Sequence, residues 1–189
     1  MAHPAEALAA LLAVLDRMKI PYAIGGSLAS SAHGIPRMTN DADLVVDLQP
    51  DQVEEFVDNL EGFYADPQTI HDALKDGRPF NLIHMDSVYK FDLFPLKADA
   101  YSRISFGRRT SMNLTALGPS IECDVSSPED TILRKLEWYR LGGEASERQW
   151  SDLRGIVRIS GHRLDDEYLR KWASELRLTD LLEELLKER

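Results

Sequence analysis

The chain has 189 residues, a formal net charge of −10 and a pI near 4.9. With 43% hydrophobic and 29% charged residues it has the composition of an ordinary folded domain, which excludes wholesale disorder. No apolar run approaches the ~20 residues of a bilayer span, which excludes an integral helical membrane protein. The lone Cys123 excludes an internal disulfide or a cysteine-based zinc site. An acidic chain is also poorly suited to coating duplex nucleic acid, so any nucleic-acid contact should be local. The lack of disulfides is compatible with the cytoplasm, which is the expected location. Residues 1–126 hold 18 acidic against 10 basic side chains. This excess serves solubility or gathers carboxylates around a cation.

In chain order, Leu8, Leu11, Leu12, Leu15 and Met18 recur at helical spacing and predict a helix over 4–18, with Pro4 in its first turn. Glu6 and Asp16, and the lack of a basic leader, separate this segment from a signal peptide. Tyr22–Ile24 is a short strand running into Gly25-Gly26-Ser27, followed by a small-residue helix over 28–33 that Gly34 and Pro36 close. Residues 42–48 read as a buried strand, 50–61 and 67–75 as helices, and 80–85 and 88–94 as strands joined by a two-residue Asp86-Ser87 turn. Residues 98–110 fit helix and loop equally, and 121–125 is a last strand. Ser127-Ser-Pro-Glu-Asp is a strong helix start, and helices to 142 and over 146–159, 165–176 and 178–188 follow. The expected architecture is α/β, a small mixed sheet with helices on one side (residues 1–126), plus a C-terminal helical domain (127–189).

The chemistry concentrates between residues 25 and 46. Glycines at a strand-to-helix turn let backbone N–H groups approach a phosphate, and the helix start adds its positive end. Ser27 adds a hydroxyl. Asp41 and Asp43 stand two apart on a strand and so share a face. Two like charges side by side are costly unless a cation lies between them, and magnesium favours carboxylate oxygens completed by substrate phosphates. Asp92, inside an otherwise apolar strand, is a third candidate ligand, since a bare charge there is expensive; a salt bridge to Lys90 or Arg103 is the competing explanation. Taken together these residues suit phosphoryl or nucleotidyl transfer.

Other residues carry less. Arg37 either holds a phosphate, neutralises Asp41 or lies solvated in its loop with Thr39. Lys135 either points at a nucleotide or sits on a helix surface. Arg108-Arg109 reads best as a solvated pair. His33 and His84 lack partners at zinc-ligand spacing, and Trp138, Trp150 and Trp172 read as core residues of the helical tail.

Gly25-Gly26-Ser27, then Asp41-Ala-Asp43, then Asp92 on a later strand resembles the signature of the DNA polymerase β-like nucleotidyltransferase superfamily. The intervening Gly34-x-x-Arg37-x-Thr39 and the tail's Ser-Pro-Glu-Asp-x-x-x-x-Lys135 look most like its small prokaryotic branches, above all the toxin-type, abortive-infection-like enzymes. The serine comes third in the turn, and Ala42 replaces the commoner isoleucine; neither departure removes a ligand. The resemblance implies two Mg²⁺ ions held by Asp41, Asp43 and Asp92, and a nucleoside triphosphate, ATP for instance, on Gly25, Gly26, Ser27, Arg37 and Lys135. It implies transfer of a nucleoside monophosphate to an acceptor hydroxyl on an RNA 3′ end, a protein or a small molecule. An antitoxin or a second copy of the chain is a conceivable partner, and a toxin-antitoxin or binding module with little turnover is the alternative.

Overall fold

The structure, a computed structural model, describes residues 3–189. Helix α1 spans Pro4–Arg17, started by a reciprocal His3–Glu6 capping box. Strand β1 (Tyr22–Ile24) leads into α2 (Gly26–His33), and β2 covers Asp41–Val46. A single 3₁₀ turn at Pro50–Gln52 precedes α3 (Val53–Asp58), followed by β3 (Phe63–Tyr64) and α4 (Pro67–Asp76). Strands β4 (Phe80–His84) and β5 (Tyr89–Pro95), α5 (Ala100–Gly107), β6 (Thr110–Leu114) and β7 (Ile121–Val125) complete the first part. Helices α6 (Pro128–Leu141), α7 (Glu147–Ser160), α8 (Asp166–Glu175) and α9 (Thr179–Leu186) form the tail.

The strands make one mixed seven-stranded sheet in the order β3-β4-β5-β2-β1-β7-β6. Strand β2 runs antiparallel to β1 and parallel to β5, while β1 runs parallel to β7. Strand alternation sorts the side chains. Ala42, Leu44 and Val46 are fully buried, as are Leu82, Phe91 and Leu93 on the neighbouring strands. They form one core with Leu8, Leu11 and Leu15 of α1, Phe56 of α3 and Ile70 of α4. Each of the Leu, Ile, Val and Phe side chains withdrawn from water contributes about 1.5–3 kcal/mol. The alternate residues of β2 and β5, Asp41, Asp43, Asp92 and Phe94, therefore face the other way.

A second core joins Ile132 and Leu136 of α6, Leu153 and Ile156 of α7, Leu169 of α8 and Leu182 of α9. Tyr101 of α5 belongs to it, so this core reaches back across residue 126.

Several expectations need correction. The β4–β5 connection is a four-residue loop, Met85–Val88, and not a two-residue turn, because His84 and Tyr89 are the last paired residues. Asp-Ser offers no glycine for the left-handed positions of a tight hairpin, and Val88 takes the one positive φ (56°). The 98–110 stretch resolves into α5 and the start of β6, with Asp99 capping Ser102. Arg108 and Arg109 are not a solvated pair. Arg108 meets Glu129 at 3.0 Å and lies 3.9 Å from the centre of the Tyr168 ring, and Arg109 meets Asp124 at 3.2 Å. Trp150 and Trp172 are buried as expected, but Trp138 is 52% exposed.

Candidate active site

Three neighbouring strands position the candidate residues. The Gly25 N–H donates to the Asp43 carbonyl at 2.8 Å, which ties the start of α2 to β2. Gly26 has φ +53°, and a Cβ there would stand 1.8 Å from Asp43 Oδ2. Glycine is therefore required twice, for backbone conformation and for the space the Asp43 carboxylate occupies. On the other side of β2, Asp43 and Asp92 are direct register partners, and Asp41 pairs with Lys90. All four side chains lie on the same sheet face.

The local electrostatics follow from that crowding. Burial, reinforced by the charges of Asp41 and Asp92, pushes the Asp43 carboxyl up to about 6. Asp41 accepts a 2.7 Å hydrogen bond from the Thr39 hydroxyl. Asp92 carries a 2.9 Å ion pair with Lys90 and a short hydrogen bond from the Asn81 amide. The salt bridge to Lys90 is present, and the same side chain stands beside the acid pair. Among the described residues no three acidic, histidine or cysteine side chains stand close enough to form a ready-made metal cage. The donor chemistry nonetheless fits a hard cation. Asp43 is a half-buried carboxylate with like-charged neighbours and, among the described residues, no side-chain hydrogen-bond donor, and a divalent ion beside Asp41 and Asp43 removes the repulsion between them.

These residues open onto a cleft of about 680 Å³ that also runs along α6 and α7. Gly25, Gly26, Ser27, Arg37, Asp41, Asp43 and Lys135 all line it. Asp92 does not, although it adjoins Asp43. The Arg37 guanidinium donates to Ser27 Oγ at 2.5 Å and to both oxygens of Asp152 at 2.7 and 2.9 Å. Lys135 Nζ donates to the same Asp152 at 2.8 Å. Arg37 is thus neither solvated nor paired with Asp41, and Lys135 is buried and not a surface lysine. Burial alone would raise the Asp152 carboxyl, but the hydrogen bonds and charges of Arg37 and Lys135 hold it below the usual carboxylate range. Asp152 escaped the sequence reading because a single acid on an amphipathic helix carries no local sign of its partners. Gly34 and Gly155 make the crossing of α2 and α7 that brings Asp152 here, as a Cβ on Gly34 would lie 2.7 Å from the Gly155 carbonyl carbon. His33 is structural: its ring Nε2 lies 2.7 Å from the Ser126 carbonyl, and burial lowers its basicity.

No protein-family model matches the sequence, and no curated protein aligns with it significantly. Among solved structures, the chain is similar to the antibiotic-resistance factor ANT(2'')-Ia. The TM-score is 0.53 and the identity 18%, over 95% of this chain and 94% of that one. It is also similar to the lincomycin-bound lincosamide antibiotic adenylyltransferase LnuA, with a TM-score of 0.53 and 14% identity, over 82% of this chain and 96% of that one. The chain has the nucleotidyltransferase fold. The first of these neighbours is an antibiotic-resistance factor and the second an antibiotic adenylyltransferase. No helix among the described residues is long and apolar enough to cross a membrane.

Proposed function

We propose that the chain is a nucleotidyltransferase that moves a nucleoside monophosphate from a nucleoside triphosphate to an acceptor hydroxyl. One observation carries this reading. The sheet order sets β2, with its acid pair, between the glycine turn of β1 on one side and Asp92 of β5 on the other. That order would set a phosphate site, a cation site and a proton acceptor on adjacent strands.

In this reading the backbone at Gly25 and Gly26 and the Ser27 hydroxyl cradle the phosphate tail, while Arg37 and Lys135 offer it positive charge from a partly dry wall. Asp41 and Asp43, with Asp92, would hold Mg²⁺. When bound, that metal neutralises phosphate charge and stabilises the in-line displacement. Asp92 receives the proton of the acceptor hydroxyl as its oxygen bonds to the α-phosphorus. The bond from that phosphorus to the bridging oxygen breaks, and pyrophosphate leaves with the electron pair. Asp152 keeps Arg37 and Lys135 aimed into the cleft, so it is a positioning residue.

Calorimetric titration with ATP tests the reading. Binding should strengthen with Mg²⁺ and fall at least ~10-fold in Asp41→Ala/Asp43→Ala, a loss of about 1.4 kcal/mol or more, with far-UV circular dichroism unchanged. Equal ATP affinity in the folded double variant would overturn the assignment of this cleft.

A further inference from the structure

We infer that the end of the cleft lined by Phe94 and Trp138 is the acceptor subsite, and that it takes a hydroxyl compound with an aromatic or alicyclic body, uncharged or anionic, and not a polyamine. The inference rests on the nucleotidyl-transfer reading and adds the acceptor class to it.

Strand order separates the two substrates. The phosphate cradle lies on the β1 side of the acid pair, so an attacking hydroxyl must come from the β5 side, where Asp92 stands. Two residues further along β5, on the same face, is Phe94, paired in register with Val45 of β2. Phe94 meets Trp138 edge to face, with ring centroids 6.4 Å apart, and both line the cleft with Leu96 and Phe106. Trp138 lies three residues after Lys135 on α6, so the helix turns a cation toward the phosphates and an indole toward this end. A half-exposed tryptophan set edge to face against a phenylalanine at a cleft mouth is a surface that gains by being covered.

Charge decides between acceptor classes. Apart from the acid pair, the carboxylates lining the cleft are already engaged. Glu137 meets Arg134 at 2.9 Å, Asp130 accepts from Ser127 and Tyr168, and Asp152 holds Arg37 and Lys135. Lys97 and Arg148 line the same cleft and form no salt bridge among the described residues. A polyamine would meet uncompensated positive charge and no free acid beyond the acid pair itself.

The test labels the three tryptophans with 5-fluorotryptophan and reads ¹⁹F resonances of the full chain, with Trp138 assigned through Trp138→Phe. With Mg²⁺ and the non-hydrolysable analogue AMPCPP present, 2-naphthol should shift the Trp138 resonance saturably and leave Trp150 and Trp172 in place. Tobramycin should not move it. Phe94→Ala should weaken 2-naphthol about 10-fold, roughly one lost aromatic contact, while AMPCPP affinity stays within about 3-fold and the two buried resonances report an intact fold. Absence of a saturable Trp138 shift, an equal response to tobramycin, or displacement of 2-naphthol by AMPCPP would each overturn the inference. The last outcome would assign the aromatic pair to the nucleobase. If AMPCPP itself fails to bind, the nucleotidyl-transfer reading falls and takes this one with it; if it binds and 2-naphthol does not, only the acceptor assignment falls.

Discussion

Asp43 is held in its less comfortable form at neutral pH. Its carboxyl sits at about 6 in the fold, against roughly 3.9 in an unfolded chain. Between these values the folded chain binds the extra proton, so its stability falls as pH rises from about 4 to 6 and stays lowered above that. Asp43→Asn keeps the size of the side chain beside Gly26 and removes the charge. The metal-free variant should therefore be more stable than the parent by about 1–3 kcal/mol at pH 7. The difference should vanish near pH 4, and nucleotidyl transfer should be lost. Thermal midpoints of both proteins across that range measure it, and an equal or lower midpoint for the variant at pH 7 would show that Asp43 is not strained. At this scale the acid pair was legible because a period of two leaves no freedom about which face Asp41 and Asp43 share. Asp92 was legible as a charge in an apolar strand. Asp152 was not, since its contact with Arg37 spans 115 residues of sequence. Nor was the exposure of Trp138, because an indole looks the same in a sequence whether it fills a core or waits at a cleft.

Elements are legible where their signals are local. Pro4, the Ser127 cap and the Val- and Leu-rich run of β2 each announced their element. Strand β3 has two residues and β6 is an edge strand with an exposed, unpatterned Thr-Ser-Met-Asn-Leu run, so neither carries a period to detect. The fit of one element on another is less legible still. Gly34 was readable as a helix stop, whereas its second duty, close approach to α7, depends on Gly155. The two glycines should respond differently to alanine. At Gly34 the new Cβ meets α7 backbone at 2.7 Å, which neither side can yield cheaply, and a cost of about 2 kcal/mol or more is expected. At Gly155 the nearest atom is the Ile35 nitrogen at 3.2 Å. The better helix propensity of alanine, about 1 kcal/mol, offsets much of that contact. Urea midpoints with unchanged slopes would measure both, and a Gly155→Ala cost as large as that of Gly34→Ala would contradict this account of the crossing.

Across the whole molecule the change of texture at residue 126 is a change of class: mixed sheet before it, helices after it. We propose residues 1–126 and 127–189 as the two parts of the chain, but independent folding is a separate matter, and the packing argues against it. Tyr101 of α5 is buried in the helical core, 5.1 Å from Trp172 by ring centroids. Arg108 closes onto the buried Glu129 and lies 3.5 Å from the buried Asp130. Ser160 donates to the His33 carbonyl at 2.6 Å, and α2 crosses α7 through the two glycines. Cutting at 126 would strand a buried carboxylate pair without its arginine and expose the flank of Tyr101. Each is a loss that a short piece with a small core cannot absorb. Calorimetry of the intact chain should therefore show one transition, with the calorimetric enthalpy equal to the van't Hoff enthalpy. Residues 127–189 made alone should give helical but non-cooperative melting. Two resolved transitions in the intact chain would show that the parts fold separately, and that the contacts across 126 form only after both have folded. The cleft lies between the same two sets of elements, so a single transition also means that Arg37, Lys135 and Asp152 come together in the folding step itself.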